Sequence, residues 1–164
     1  MNYTGRINQR RYKMAREPLL TLNCSSYSAD IRDIIRLFNN IGWGFRNERM
    51  EYLPLNDGDM YDWQEEALSY DKLFDIVAQK QKCDENVGVI LYHNRSDKGT
   101  TFLAKGTNEI LLCLDINRKT MDDSAAFSHG GDHTDISWYV KNIIIELEKA
   151  GCVVESFSYE EWIG

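Results

Sequence analysis

Leu20, Leu22 and Cys24 alternate with Thr21 and Asn23 behind Pro18, the two-residue period of a half-buried strand over residues 19–24. The period then lengthens. Ile31, Ile34, Ile35, Phe38 and Ile41 fall on one side of a helix, with Ser28 placed as N-cap, Asp30 and Asp33 in the positive first turn, and Gly42 as a left-handed stop. Residues 43–55 read as extended, with Trp43, Phe45, Met50, Tyr52 and Leu53 as their apolar content. Asn56, Asp57, Gly58 and Asp59 break that element. A second helix is predicted over residues 70–82, with Leu73, Ile76, Val77 and Lys80 on one side and Lys80 and Lys82 favourably near its C-terminus.

Residues 87–92, 100–104 and 109–116 are three strand candidates joined by short, turn-rich links, which favours an antiparallel meander. Val89–Ile90–Leu91 and the stretch from Ile110 to Leu114 are unbroken apolar runs, so both faces of these strands are expected to be covered, at the centre of a sheet. A polar loop over residues 117–134 leads to the strongest helix pattern, residues 135–150. Ile136, Tyr139, Val140, Ile143, Ile144 and Leu147 share one face there, with Thr134 or Asp132 as cap and Gly151 as stop. A closing strand is predicted at residues 152–159. The order β-α-β-α-β-β-β-α-β argues for an α+β fold, a single-domain sandwich with helices packed on a mixed, largely antiparallel sheet.

Charge divides the 164 residues unevenly. Residues 1–16 hold Arg6, Arg10, Arg11, Lys13 and Arg16 with no acid, and read as a basic N-terminal arm, expected to be mobile. The 14 basic residues left face 26 acidic ones, a formal charge of −12 on the domain at residues 17–164. Such a body repels nucleic acid, whose affinity comes mainly from phosphate neutralisation. No apolar run reaches the ~20 residues of a membrane helix, and the first 30 residues lack a secretory signal, so a soluble, cytoplasmic protein without membrane contact is expected.

The acids are concentrated with aromatic rings. Between Met50 and Asp71 stand seven carboxylates, Glu51, Asp57, Asp59, Asp62, Glu65, Glu66 and Asp71, without a single lysine or arginine, interleaved with Tyr52, Tyr61, Trp63 and Tyr70. Rings supply contact area at low entropic cost while acids steer encounter, a combination suited to a basic protein partner. Tyr159, Glu160, Glu161 and Trp162 repeat this chemistry, and two readings stand: the patches join into one interface, or Trp162 tucks the terminus onto the body. The candidate partner-binding residues are Glu51, Tyr52, Asp57, Asp59, Tyr61, Asp62, Trp63, Glu65, Glu66, Glu160, Glu161 and Trp162, with Trp63 expected as an exposed anchor.

Catalytic signatures are sparse. His129, Asp132, His133 and Asp135 bring two imidazoles and two carboxylates into seven residues, a donor set for zinc or manganese and the basis of an alternative reading as a small metal-dependent enzyme. Gly130 and Gly131 oppose the helix that would align those histidines, and the capping of a following helix is the competing account. Gly42–Trp43–Gly44 follows a helix rather than a strand, and neither a phosphate loop nor a GxSxG elbow occurs. Cys24, Cys83, Cys113 and Cys152 are too scattered for a zinc site or disulfide framework, and read as reduced thiols. No metal or cofactor is expected.

In size, in its acidic single α+β domain and in the run EYLPLNDGDMYDWQEEALSY, the chain resembles the cytoplasmic immunity proteins of bacterial polymorphic toxin systems, such as those of contact-dependent growth inhibition. The resemblance implies an antitoxin that binds and neutralises a basic toxin domain, often a nuclease, and is not itself an enzyme. A third reading is an adaptor for another basic protein.

Overall fold

The computed structural model describes residues 16–46, 49–121 and 133–163. Residues 1–15 of the expected basic arm, His129 and Asp132 lie outside the described residues, while Arg16, the last residue assigned to that arm, begins the first strand. Eight strands and three helices form an α+β sandwich in which every named strand pairing is antiparallel. Strand β1 is Arg16–Asn23, β2 Trp43–Gly44, β3 Met50–Tyr52, β4 Gln64–Glu66, β5 Val87–His93, β6 Gly99–Ala104, β7 Ile110–Ile116 and β8 Ser156–Ile163. They lie in the order β4-β3-β5-β6-β7-β1-β8, with β2 paired to the far end of β5. The meander predicted at residues 87–116 is the centre of this sheet.

Helix α1 (Ile31–Asn40) buries Ile31, Ile34, Ile35, Leu37 and Phe38. Its cap is Asp30, whose side chain accepts from the Arg32 amide, while Ser28 supports it one step back by accepting from the Asp30 amide and donating to Asp33. Gly42 stops the helix with φ +103°. Helix α2 (Tyr70–Lys82) is capped by Ser69. Gln81 near its end accepts from the Ile31 amide and donates to the Ala29 carbonyl, so α2 also satisfies backbone groups at the start of α1.

The third helix, α3, is composite: α-helical at Ile136–Tyr139, π-helical at Val140–Ile144 and α-helical again at Ile145–Lys149. Inside the π turn the Asn142 carbonyl accepts from the Trp43 indole at 2.9 Å. Asp135 is the cap, accepting from the Trp138 amide and from Ser137, where Thr134 or Asp132 was expected. The closing strand lies four residues later than its apolar pattern suggests. The Cys152 amide returns to the Leu147 carbonyl, so the chain is still leaving the helix at residues 152–155, and Tyr159 to Trp162 are fully inside β8.

All three helices pack on one face of the sheet. Leu20, Leu22, Val89, Leu91, Phe102, Leu112 and Leu114 from that face join Ile34, Phe38, Leu73, Val77, Tyr139 and Ile143 in the main core. A second, smaller cluster of Leu53, Trp63 and Ile90, extended by Tyr92, Leu103 and Ile116, occupies the opposite face and contains no helical residue. The expectation that both faces of residues 109–116 are covered is therefore corrected. In β7 buried and half-buried residues alternate, because its second face has no helix above it.

Lys80 lies in the last turn of α2 on the same side as Leu73 and Val77, as its spacing predicts, and it is buried there. It is 1% exposed, and its ammonium donates to the Pro54 carbonyl (2.7 Å), Asp57 (3.0 Å) and Glu85 (3.3 Å). The Asp57 side chain is 0% exposed, so this pair lies inside the protein and pins the acidic loop against α2. Removing one member of a buried ion pair leaves an uncompensated charge, typically costing about 3–5 kcal/mol. Lys80→Met is expected to lower unfolding free energy by about 3 kcal/mol or more in denaturant melts. Adding Asp57→Asn to that variant is expected to restore part of the loss.

Candidate partner-binding face

Ladder partners share a face, so the registers show which side chains lie on the helix-free side. One row runs Ile90, Thr101, Cys113, Leu19, Glu160, and the next Gly88, Leu103, Leu111, Thr21, Ser158. Leu19, Leu103, Leu111 and Cys113 are half-buried. A recess of about 220 Å³ opens beside Leu103 and Leu111, rimmed by Lys105 and Glu109. Toward one end stand Glu51 and Glu65, directly paired across β3 and β4. At the other are Glu160 and the pair Glu17 and Trp162. The result is an apolar middle with acids at both ends.

The two acid and aromatic patches are separate parts of this face. Six strand steps divide β4 from β8, about 29 Å at ~4.8 Å per step. They are not one contiguous patch. Each lies on the margin of the apolar middle.

The run at residues 50–71 divides among several roles. Glu51 accepts from the Tyr92 hydroxyl at 2.5 Å, and the Arg46 guanidinium lies 4.3 Å from the Tyr92 ring centroid. Glu65 pairs with Arg49 at 3.2 Å. Tyr52 faces the main core, and its hydroxyl donates to the Glu66 carboxylate. Burial first, then that carboxylate, push the Tyr52 hydroxyl up to about 12, so it stays a donor at neutral pH. Asp57 belongs to Lys80. Asp59 accepts from the Asn86 amide at 3.0 Å and meets Lys105 at 3.4 Å. The Asn86 amide, foremost, and Lys105 hold its carboxyl below the usual carboxylate range. Asp62 and Tyr61 are exposed, Tyr61 with a left-handed φ of 54°.

Trp63 is the main correction. Its ring is 8% exposed and packs with Leu53 and Ile90 over the sheet rather than standing free as an anchor. Acidic neighbours do not prevent this, because the chain around Trp63 is not helical. Asn56, Gly58, Asp59 and Tyr61 all take positive φ, and this coiled loop turns Trp63 inward while leaving Asp62 outside. The sequence carries one signal of the arrangement, Gly88 inside an apolar strand. A Cβ there would stand 2.5 Å from Leu53 Cδ1 and 3.0 Å from Trp63 Cη2, so only glycine admits this closure.

The second patch also divides. Glu160 and Trp162 project on the helix-free face, Trp162 52% exposed. Glu161 points the other way, accepting from Thr134 through its amide (3.2 Å) and hydroxyl and lying 3.6 Å from Arg118. It ties the start of α3 to β8.

Two features bear on the alternative chemistry. Asp135 is engaged in capping, and among the described residues no group of three or more histidines, cysteines and acids is arranged to hold a metal ion. A polar recess of about 370 Å³ lies between the ends of α1 and α3 and the turn after β5, with His93, Arg95 and Asn142 in its wall. His93 Nδ1 is 2.8 Å from Ser96 Oγ. Burial, and secondarily Arg95, lower its pKa. Among the described residues, no helix is long and apolar enough to cross a membrane. No family model matches the sequence, and no curated protein or solved structure matches it significantly.

The inward placement of Trp63 gives a stability prediction. Truncating a buried tryptophan typically costs about 3–5 kcal/mol. Trp63→Ala is expected to lower unfolding free energy by about 3 kcal/mol in urea melts. Gly88→Ala is expected to destabilise as well, since Leu53 must move to admit the methyl group.

Proposed function

We propose that this protein is a cytoplasmic antitoxin of the immunity type, a non-enzymatic protein that neutralises a basic toxin domain by covering it with its helix-free sheet face. The observation that carries the reading is the cross-sheet arrangement: half-buried Leu19, Leu103, Leu111 and Cys113 in the middle, with Glu51, Glu65, Glu17 and Glu160 toward the margins. Protein interfaces have an apolar centre and a polar rim, and a rim richer in acids than in bases favours a basic partner. The charge of −12 over residues 17–164 favours the same partner at long range. Capture is electrostatic, followed by burial of the apolar middle.

This reading places the contact differently from a loop-centred one. Asp57, Tyr52 and Glu161 hold the surface from the other side and Trp63 covers its β5 end, while Glu51, Glu65, Glu160 and Trp162 meet the partner. Affinity capture from the native cell tests it, with wild type compared against Glu17→Gln, Glu51→Gln, Glu160→Gln in one chain. Wild type is expected to retain a basic polypeptide that the triple variant loses. Association should slow steeply between 0.05 and 1 M salt, as screening shortens from about 14 Å to ~3 Å. The captured chain is expected to arrest growth unless this protein is co-produced. Equal retention by both forms, or a captured chain without toxicity, overturns the proposal.

A further inference from the structure

The two outer strands of the sheet are built differently. β4 has three residues, Gln64–Glu66, two of them acidic. Short length and charge are how natural sheets protect an edge. β8 has eight residues in unbroken register with β1, from Ser156 opposite Asn23 to Ile163 opposite Arg16. Among the described residues no strand pairs with its outer side. It carries no lysine, no proline and no bulge, and exposes Phe157 (51%) and Trp162 (52%).

We propose that β8 is a docking edge, to which an extended segment of the protein partner bearing lysine or arginine adds as a further strand. The proposal rests on the reading of this protein as a binder of a basic domain, and states how that domain is held. An open edge supplies a row of backbone donors and acceptors, which give affinity, while alternate side chains give selectivity. From Glu155 to Trp162 the chain has three glutamates, three aromatic residues and no base.

Strand alternation specifies the incoming segment. On the helix-free side it lies beside Ser158, Glu160 and Trp162, where a cation faces the exposed Glu160 carboxylate. On the other side it meets Phe157 and Tyr159, which call for apolar residues, since Glu161 is already engaged by Thr134 and Arg118. The matching segment therefore alternates basic and apolar residues. A second copy of this chain fits poorly. Self-pairing of β8 offers the glutamates of two copies no base in either strand, and registers centred near Glu160 and Glu161 set like charges across the ladder.

Amide hydrogen exchange read residue by residue tests the edge. The probe is a ten-residue peptide alternating lysine and valine, with controls of the same composition interrupted by proline and of alternating glutamate and valine. The lysine peptide alone is expected to slow exchange at least tenfold at alternate β8 amides, those directed outward, with the effect lost in 1 M salt and in Glu160→Lys. Protection confined to another surface overturns the edge proposal while leaving the basic-partner reading intact. No protection anywhere also overturns it, and the partner reading then stands or falls on the capture experiment. Concentration-dependent protection of β8 without peptide overturns it in favour of a second copy.

Discussion

Placing every helix on one side of the sheet is the constraint from which the rest of this structure follows. α1, α2 and α3 bury one face of the strands in a single core, and the other face must be completed by whatever lies between them. Leu53 and Trp63 do this for the β5 side of the face, using the space that Gly88 leaves. Among the described residues that cluster does not extend to Leu111 and Cys113 of β7 or Leu19 of β1, which are left half-buried. Among the described residues, this part of the two-faced sheet has no helix over it.

The acidic run serves this arrangement first as architecture. Asp57 and Glu85 surround the Lys80 ammonium, and the Pro54 carbonyl completes its shell. A lysine so buried is tolerable only when its hydrogen bonds are satisfied and its charge is matched. The loop is therefore held at its root, while the backbone of Asn56 to Tyr61 curls tightly enough to place Trp63 against the sheet. Acids that read alike in sequence have different roles: Asp57 is structural, Asp59 holds β5 through Asn86 and meets Lys105, and Asp62 faces water.

Periodicity made most of the fold legible. The two-residue alternation at β1, the three-strand meander and the helical spacing of α1, α2 and α3 each correspond to an element in the structure. What periodicity could not show was pairing between distant segments. β4 consists of Gln64, Glu65 and Glu66, residues with little strand preference that are extended because β3 lies alongside. In the π turn, likewise, the Asn142 carbonyl meets Trp43, about a hundred residues away. Residue chemistry singled out Glu51, Glu65, Glu160 and Trp162, which the registers place on the helix-free face, but direction depends on register. Only the ladder reveals that Glu160 and Glu161 point to opposite faces, or that the apolar middle between the patches comes from β1, β6 and β7.

The position of β1 has a consequence for the order in which the molecule is made. Its two neighbours are β7, where Leu19 meets Cys113, and β8, where Leu19 meets Glu160. During synthesis β1 thus waits for roughly 90 residues before its β7 side is paired and roughly 140 before its β8 side. Residues 50–93, by contrast, contain both ends of the Lys80 network and the β3–β5 contact within one short stretch. Local closure costs less chain entropy than distant closure. Closure within residues 50–93 therefore costs less chain entropy than the insertion of β1, whose two partners are made only much later in synthesis.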